Sequence, residues 1–437
     1  MFRYQCWLSA GLALYLGLAT AVATDPATPD PALLTLTAAL KQAERNNPSL
    51  AAIRARYEAL KAIPPQEGSL PDPEISFSAM SLPVDTFNID QEDMTQLQFG
   101  ISQRFPFPGK LSLKEKAAEW EVQAAGDDVQ ELKLKLLRDV EVRWWRLFYL
   151  DRALSIVAAN QDLLRQFVEI AKTRYTVGQG LQQDVLLAQL ELSRLVDLSL
   201  QLEGLRGQEL ARLNALLGRS ADTRAQLPVE VEKNLPEPIE EAQLFTRAEK
   251  ARPILAKLSK QIEATKTRVE LAKKEFLPDF NLGAFYGFRQ GQTPDGKSRP
   301  DFLTLSLSMN VPLYFATKQA KAVDQKTSEL WRAQFAWQDA WNRVRAEISA
   351  ALADYRRARE QAVLFDKGIL PQARQTVASM LAGYQVGKVD FLNLISAQIT
   401  LYNYEVRYFK TLTQARQALA KLKAAVGGKI EEKHNAE

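Results

Sequence analysis

The sequence has almost none of the residues that carry covalent and metal chemistry. Of its 437 residues, one is cysteine (Cys6) and one is histidine (His434). It contains no Gly-rich phosphate loop and no GxSxG, HExxH or CxxC motif. A histidine-dependent hydrolase triad is therefore excluded, and no pair of acidic residues or group of methionines stands out as a catalytic or metal site. The sequence predicts a protein that is not an enzyme and binds no cofactor.

An excess of charge of one sign is also absent. Lys and Arg total 56 and Asp and Glu total 52, and the two signs are mixed along the chain. Nucleic-acid-binding proteins concentrate basic residues on one face or in runs, so no nucleic-acid partner is expected. With 46% hydrophobic and 25% charged residues, the chain has the composition of a folded protein that is long enough for several cores.

Long apolar runs are missing apart from one at the N-terminus, between Trp7 and Ala19. This run is followed by Ala21-Val22-Ala23, which fits the small-x-small rule for secretory cleavage, so residues 1–23 are predicted to be a signal peptide. The alternative is an uncleaved anchor, but the run is shorter than the roughly 20 residues that a spanning helix needs. Cys6 lies inside this leader, so the mature chain should contain no thiol and no lipid-attachment cysteine.

The sequence contains an internal duplication whose clearest part is a repeated 15-residue segment. Residues 175–189 read YTVGQGLQQDVLLAQ, and residues 384–398 read YQVGKVDFLNLISAQ. In each copy a helical pattern ends at a Gly and a second helical pattern follows, which is typical of a helix C-terminus and a tight reversal. Each copy is therefore predicted to be the tip of a helical hairpin.

Other landmarks recur in the same order. Residues 43–48 (AERNNP) resemble residues 248–253 (AEKARP), and the Leu-Pro-Asp sequence at 70–72 recurs at 277–279. The offset grows only from 205 to 209, which indicates a tandem duplication with small insertions. The predicted division is a first repeat at 24–217, a linker at 218–239, a second repeat at 240–427 and a polar tail at 428–437.

Each repeat contains one predicted β-hairpin. Apolar and polar residues alternate with a period of two in residues 75–79, 95–103, 280–288 and 303–311. Soluble hairpins packed on helices would produce this pattern, and so would membrane strands. A polar face with almost no charge, and aromatic residues near the strand ends, favour membrane strands. Because an open sheet edge is not tolerated in lipid, several chains would have to share one barrel. Two chains would supply eight strands and three would supply twelve, and the strands alone do not decide between them.

Proline and glycine mark the change from strand to helix. Pro106, Pro108 and Gly109 follow the first hairpin and Pro312 follows the second, since proline removes the N–H donors that a sheet needs. Residues 111–175 and 318–384 are then predicted to form long helices. In the first of them the apolar residues are spaced three and four apart, which is typical of a coiled-coil seam. That seam comprises Leu147, Leu150, Leu154, Val157, Gln161, Leu164, Val168, Ala171 and Tyr175.

Taken together, the leader, the duplicated helix–hairpin–long-helix unit and the paired YxVG tips resemble the TolC-like outer-membrane efflux protein family over essentially the whole mature chain. The resemblance implies an α+β membrane protein in the outer membrane of a Gram-negative bacterium. Three chains would form a twelve-stranded β-barrel, with four strands per chain, that continues as a long α-helical coiled-coil barrel through the periplasm. The implied function is that of a passive duct that receives substrate from an inner-membrane pump through a periplasmic adaptor.

The resemblance also assigns roles to the tips. In the family they meet the adaptor and form the closed entrance that opens during export. Some members carry acidic residues on the second tip that favour cations, but Asn393 and Ser396 occupy those positions here, with Asp390 the nearest acid. The implied docking and gating residues are Tyr175, Val177, Gly178, Asp184, Ala188 and Gln189 in the first tip, and Tyr384, Val386, Gly387, Asp390, Ala397 and Gln398 in the second.

Within the family, the stretch from residue 72 to residue 110, with its SAMSLPVDTF and RFPFPGK segments, is most similar to the branch that serves heavy-metal pumps of the resistance-nodulation-division type. Heavy-metal cations are therefore the expected cargo, with drug efflux and type I protein secretion as alternatives. An alternative of another class is a soluble periplasmic coiled-coil scaffold or adaptor. An adaptor should have one long helical hairpin between split small β domains, whereas this sequence predicts two hairpins.

Overall fold

The computed structural model describes residues 33–428, so the predicted signal peptide, Cys6, His434 and nearly all of the polar tail lie outside the described residues. The two halves of the chain repeat the same order of elements. The first half contains α1 (Leu36–Asn46), α2 (Pro48–Lys61), α3 (Ile63–Gly68), β1 (Glu74–Met80), β2 (Gln96–Phe105), α4 (Lys110–Thr176) and α5 (Gln182–Leu216). The second contains α6 (Glu241–Ala251), α7 (Pro253–Lys274), β3 (Phe280–Phe288), β4 (Phe302–Met309), α8 (Gln319–Leu364), a π-helical turn (Phe365–Ile369), α9 (Leu370–Gln385) and α10 (Phe391–Val426).

The joint between the first two helices of each half is built from an Asn-Pro or Arg-Pro pair. The Asn47 side chain accepts a hydrogen bond from the Leu50 amide at 3.0 Å, and Pro48 begins α2, as the sequence predicts. Asn47 also donates to the Leu216 carbonyl at the end of α5, at 3.0 Å. In the second half, Arg252 donates to the Ala424 carbonyl near the end of α10. Each half is thus closed by the same long-range contact between its second helix and its last.

The long helices pack as two antiparallel hairpins, α4 with α5 and α8–α9 with α10. At 1.5 Å per residue, the 67 residues of α4 give a helix about 100 Å long. Most of its predicted seam packs inward, with Leu147, Leu150 and Val157 fully buried, but the last member, Tyr175, is 48% exposed. The one polar member, Gln161, donates to the Leu195 carbonyl of α5 at 3.0 Å. The apolar cores therefore lie in a row along the helices instead of forming one central core.

The two β-hairpins join into one four-stranded antiparallel sheet in the order β1-β2-β3-β4. The register aligns Ile75, Ile101, Ala284 and Leu305 across all four strands on one face, and the next row joins Phe77, Phe99, Tyr286 and Leu303. Most of these side chains are exposed, so one face of the sheet is a continuous apolar surface. The other face carries mainly Ser, Thr, Gln, Asn and Gly. Its main exception is Phe285, whose ring occupies the space above Gly100 and Gly283.

The linker between the repeats lies against the helices of the second half. The Tyr355 hydroxyl on α8 donates to the Pro236 carbonyl at 2.5 Å, and Arg416 on α10 donates to the carbonyls of Glu232 and Asn234. These contacts hold a segment that has no helix or strand of its own. Across residues 33–428, none of the helices combines the length and the hydropathy needed to cross a membrane.

Candidate docking tips and strand-to-helix turns

The two tips have the same backbone geometry. After α4 ends, Gly178 has a φ of +74° and the Gln179 amide donates to the Arg174 carbonyl at 2.8 Å. After α9, Gly387 has a φ of +75° and the Lys388 amide donates to the Gly383 carbonyl, also at 2.8 Å. This left-handed residue with a six-to-one hydrogen bond is the usual glycine C-cap. No atom lies within 4 Å of where a Cβ would be at either glycine, so the backbone conformation alone requires glycine.

Large apolar side chains are exposed at both tips. Val177 is 63% exposed and Val386 is 68% exposed, and the first residues beyond the reversals add Leu181 and Leu392. We call these four residues the tip surface. Exposed apolar side chains grouped at one end of a long helical assembly are typical of a protein–protein contact.

The equivalent tyrosines of the two tips have different roles. Tyr175 is 48% exposed, whereas Tyr384 is 8% exposed. The guanidinium of Arg174, on the first hairpin, lies 4.4 Å from the centre of the Tyr384 ring, and its Nη2 donates to the Tyr384 carbonyl at 3.3 Å. The Tyr384 ring also lies 5.5 Å from the Phe391 ring, centre to centre. Tyr384 therefore joins the two hairpins, while the ring of Tyr175 is about half exposed.

The repeated Ala-Gln pair is likewise asymmetric. Gln398 is buried and donates to the Asn160 side chain of α4 at 2.7 Å, but its counterpart Gln189 is exposed. Ala188 is fully buried against α4, and Ala397 is partly buried. Gln398 and Ala188 therefore serve packing between helices. The sequence alone does not distinguish them from the exposed members of the predicted set.

The acidic members of the predicted set lie where the return helices begin. Asp184 is partly exposed in the first turn of α5. Asp390 is exposed and precedes α10, and its carbonyl accepts from the Asn393 amide at 3.2 Å. Asn393 and Ser396 are both exposed and uncharged.

The first strand-to-helix turn is tied to the second repeat by Asp279. One carboxylate oxygen accepts from Lys110 Nζ at 2.8 Å and from the Phe107 amide at 3.0 Å, and the other accepts from Arg104 at 2.9 Å. Burial by itself would raise the pKa of Asp279, but the hydrogen bonds from Lys110, Phe107 and Arg104 outweigh it and hold the pKa below its usual value. This role was missed from the sequence, although Asp279 belongs to the repeated Leu-Pro-Asp landmark that could have drawn attention to it.

The predicted switch residues lie in these turns. Pro106 and Pro108 flank Phe107 after β2, and Gly109 has a φ of +89° immediately before α4. The positive φ favours glycine there, whereas the nearest atom to a Cβ on Gly109 would be Lys274 Nζ, at the end of a flexible side chain that can move aside. Pro312 follows β4 in a longer turn, and α8 begins only at Gln319. Within the described part of the chain, no cluster of three or more His, Cys, Asp or Glu side chains is arranged to hold a metal ion.

The helical hairpins, the four-stranded sheet and the duplicated order match a known family. The family model for the outer membrane efflux protein fits residues 39–219 and fits again over residues 244–428. The chain belongs to the outer membrane efflux protein family. It is therefore an outer-membrane efflux channel, a passive duct and not an enzyme. This assignment excludes the soluble scaffold or adaptor that the sequence left open.

Similar proteins agree with this assignment. The cobalt-zinc-cadmium resistance protein CzcC of Cupriavidus metallidurans is 21% identical over 407 residues, which are 90% of each chain. The outer membrane protein VceC of Vibrio cholerae superposes with a TM-score of 0.74 at 19% identity, covering 91% of this chain and 97% of that one. The Campylobacter jejuni CmeC outer membrane channel has a TM-score of 0.74 at 15% identity, with 98% and 96% covered. At these identities the structural likeness establishes the fold.

Members of the outer membrane efflux protein family form trimers and work with an adaptor and an inner-membrane pump. For this chain, a mostly helical fold with one four-stranded sheet is established.

Proposed function

We propose that three copies of this chain form one duct in the outer membrane, with a twelve-stranded barrel continued by an α-helical barrel in the periplasm. The observation that carries the proposal is the open four-stranded sheet with its exposed apolar face. Within residues 33–428, β1 pairs only with β2 and β4 only with β3, so each outer edge is available for a strand of another copy. In lipid these edges have to be paired, because unsatisfied backbone groups there cost several kcal/mol each.

The number of copies follows from family membership. Four strands per copy give eight strands for two copies and twelve for three, and both would close the sheet edges. Because the family forms trimers, we assign three copies. The apolar face then points to lipid, and the Ser- and Gly-rich face lines the lumen. The proposed division into repeats is the one predicted from the sequence, 24–217 and 240–427, with 218–239 as an equatorial linker and 1–23 as a cleaved leader without lipidation.

We assign the tips to adaptor docking and to closure of the entrance. The support is the exposure of Tyr175, Val177 and Val386 at the end of the hairpins, together with the strict glycine geometry of both reversals. Six tips in a trimer would surround one entrance. The joint between Arg174 and Tyr384 would then hold the two tips of each copy together while the entrance is closed.

Heavy-metal cations are the proposed cargo, and the pump is proposed to be of the resistance-nodulation-division type. The support is the likeness to CzcC, whose name describes cobalt, zinc and cadmium resistance, over 90% of the chain. The test uses a deletion strain. Its tolerance to a panel of divalent metals and of drugs is measured, together with the amount of protein that it secretes. Loss of tolerance to metals alone is expected, and restoration should require the cloned gene. If the deletion strain became sensitive to drugs alone, drugs would be the cargo in place of metals.

Docking is tested with Val177→Asp, since a charge in the tip surface should weaken an apolar contact. Val229→Asp is the matched control, because Val229 is 66% exposed but lies in the linker. Val177→Asp is expected to lower adaptor co-purification at least tenfold and to reduce metal tolerance, while the trimer on a native gel is unchanged. Equal adaptor recovery with both variants would reject the tip surface as the docking site.

A further inference from the structure

The interface between the two halves of the chain is rich in ion pairs. Helix α7 of the second half packs along α4 of the first, and Lys257 pairs with Asp128 at 2.8 Å while Lys260 pairs with Asp127 at 2.7 Å. Further pairs join Arg268 to Glu121 and, at 3.0 Å, Arg252 to Glu131. On the same face of α7, Ala264 is only 1% exposed. We call this contact the internal seam.

The duplication specifies which residues occupy the equivalent positions. Helix α2 corresponds to α7 at an offset of 205, fixed by the Asn47-Pro48 and Arg252-Pro253 joints. Helix α8 corresponds to α4 at an offset of 208, because four buried residues of α4 match four buried residues of α8 at that spacing. The matched pairs are Leu136 and Val344, Val140 and Ile348, Trp144 and Leu352, and Leu147 and Tyr355. Both correspondences are therefore fixed by structure as well as by sequence.

The equivalent positions carry no charge. Lys257 and Lys260 correspond to Ala52 and Ala55 on α2, and Asp128 and Asp127 correspond to Ala336 and Phe335 on α8. All four of these residues are exposed, and Phe335 is 66% exposed. Ala59, the counterpart of the buried Ala264, is exposed as well. At each of the two equivalent positions, the lysine and the aspartate of the internal seam are thus both replaced by apolar residues.

We propose that α8 of one copy packs against α2 of the next copy in the same geometry as the internal seam, with Phe335 against Ala55 and Ala336 against Ala52. This proposal rests on the proposed trimer and adds the surfaces and chemistry that join its copies. A large ring between two alanines makes an apolar contact, so the seam between copies excludes the charged pairs of the internal seam. Pairing α8 with α7, or α4 with α2, in this geometry would instead desolvate the lysines or the aspartates of the internal seam without partners.

One charged contact is retained at the membrane end of the seam. Asp279, which binds the first strand-to-helix turn through Lys110, corresponds to Asp72, and Lys110 corresponds to Lys318 at the offset of 208. Asp72 and Lys318 are both exposed in the single chain. In the assembled ring Asp72 of one copy would bind the second strand-to-helix turn of its neighbour, as Asp279 binds the first turn within the chain.

Cysteine cross-linking tests the seam, because the only native cysteine is Cys6. The full chain carrying Ala55→Cys and Phe335→Cys is treated in outer membranes with a short bismaleimide and run on a denaturing gel. Covalent dimers and trimers are expected. The matched control is Lys260→Cys with Asp127→Cys, the equivalent pair of the internal seam, which should link within one chain and leave it at monomer size. Each single variant should give no linked product.

The possible outcomes distinguish failure of the proposed α8–α2 seam from failure of the proposed trimeric duct. If native gels show trimers and the internal pair links while the 55–335 pair does not, the seam is wrong and the duct stands. If the detergent-solubilised chain is monomeric and no pair links between chains, both fail. Dimers formed by Phe335→Cys alone would also overturn the seam, since they require two copies of α8 to meet each other.

A charge exchange provides a second measurement. Phe335→Asp alone should reduce the recovered trimer severalfold, because it places an unpaired carboxylate against Ala55. Adding Ala55→Lys recreates the Lys260–Asp127 pair of the internal seam and should restore most of the trimer. The restored trimer should dissociate more readily at high salt than the wild type, because the contact is then ionic. No rescue by the second substitution would contradict the proposed pairing.

Discussion

Gly178 and Gly387 show that a tip needs glycine for its backbone and not for space. Both have positive φ, and at neither position would a Cβ have a neighbour within 4 Å that excludes a larger side chain. An L-residue in the left-handed region costs roughly 1–2 kcal/mol, and a β-branched side chain is the least tolerated there.

Replacing both glycines with valine should therefore distort the reversals while leaving the rest of the chain folded. We expect export in cells to fall severalfold, with trimers of normal amount on native gels. Gly204→Ala is the control, because Gly204 is an exposed helical glycine with no neighbour within 4 Å of its Cβ position, and this change should stabilise α5 by about 1 kcal/mol. Unchanged export by the double valine variant would contradict the proposed role of the tips.

Arg174 is one of the residues that join the two tips. Its cation–π contact with Tyr384 should contribute about 0.5–1 kcal/mol at this partly exposed site. Arg174→Ala should therefore let the tips separate and speed trypsin cleavage after Lys172 and Lys388. Arg165→Ala is the control, since Arg165 forms an exposed ion pair with Asp162 within the same helix. Equal cleavage rates in the two variants would show that the joint has no effect on tip opening.

At the scale of the element, the π-helical turn explains why the two repeats drift out of register. The coiled-coil seam of α4 advances from Val157 to Gln161 in four residues, whereas the second repeat advances from the buried Phe365 to the buried Leu370 in five. The repeat offset correspondingly grows from 208 before the turn to 209 at the tips. A one-residue insertion in an α-helix is accommodated as a π-bulge. Pro371, which lacks an N–H, lies in the first turn of α9 just beyond it.

Removing the inserted residue should therefore be tolerated. Deleting the exposed Lys367 is expected to convert the bulge into regular α-helix, with the apolar faces on both sides still turned toward α10. Deleting the exposed Ala378 from the regular part of α9 should instead rotate every later residue by about 100° and misplace Tyr384. Trimer yield and thermal stability distinguish the two deletions. Comparable losses from both would show that the bulge is required for more than register.

At the scale of the whole molecule, Asp279 connects the two repeats next to the sheet. Because its pKa is depressed in the folded protein, its contribution to stability is present above the unfolded pKa of about 4 and is lost as the pH falls through the lower folded value.

Asp279→Asn should therefore lower the unfolding temperature at pH 7, and the difference from wild type should shrink below about pH 4. The loss should be on the order of 1–3 kcal/mol, because the substitution leaves buried Lys110 without its closest carboxylate. Asp72→Asn, at the equivalent position of the first repeat, should instead weaken trimers with little effect on the isolated chain. A pH-independent difference for Asp279→Asn would indicate that its charge is not what stabilises the turn.

Much of the fold could be predicted because its signals are local. Alternation with a period of two located all four strands, and spacing of three and four residues located the seams of the long helices. Glycine at the tips and proline in the strand-to-helix turns marked the element ends to within a few residues. These signals depend only on side chains near one another in the chain, so the amino-acid sequence is sufficient to reveal them.

The candidate site was less predictable, because equivalent residues of the two repeats have different neighbours. Tyr175 and Tyr384 occupy identical positions in the repeated segment, yet Tyr384 is buried under Arg174 and Tyr175 is exposed. Gln189 and Gln398 differ in the same way, since only Gln398 meets Asn160. Asp279 and Arg252 bind residues more than 100 positions away, and no local pattern reports such contacts.

The sequence by itself determined the duplication, the helices, the strands and the glycine reversals, because each is specified by residues within one or two turns of chain. Only the tertiary structure decided that the two hairpins form one sheet through β2 and β3, and that the internal seam is charged while its counterpart is apolar. The physical reason is that the two repeats share one pattern but not one environment. On one flank each repeat packs against the other repeat, and on the opposite flank it meets no part of its own chain. The burial, pairing and charge of equivalent residues therefore differ with what lies next to them.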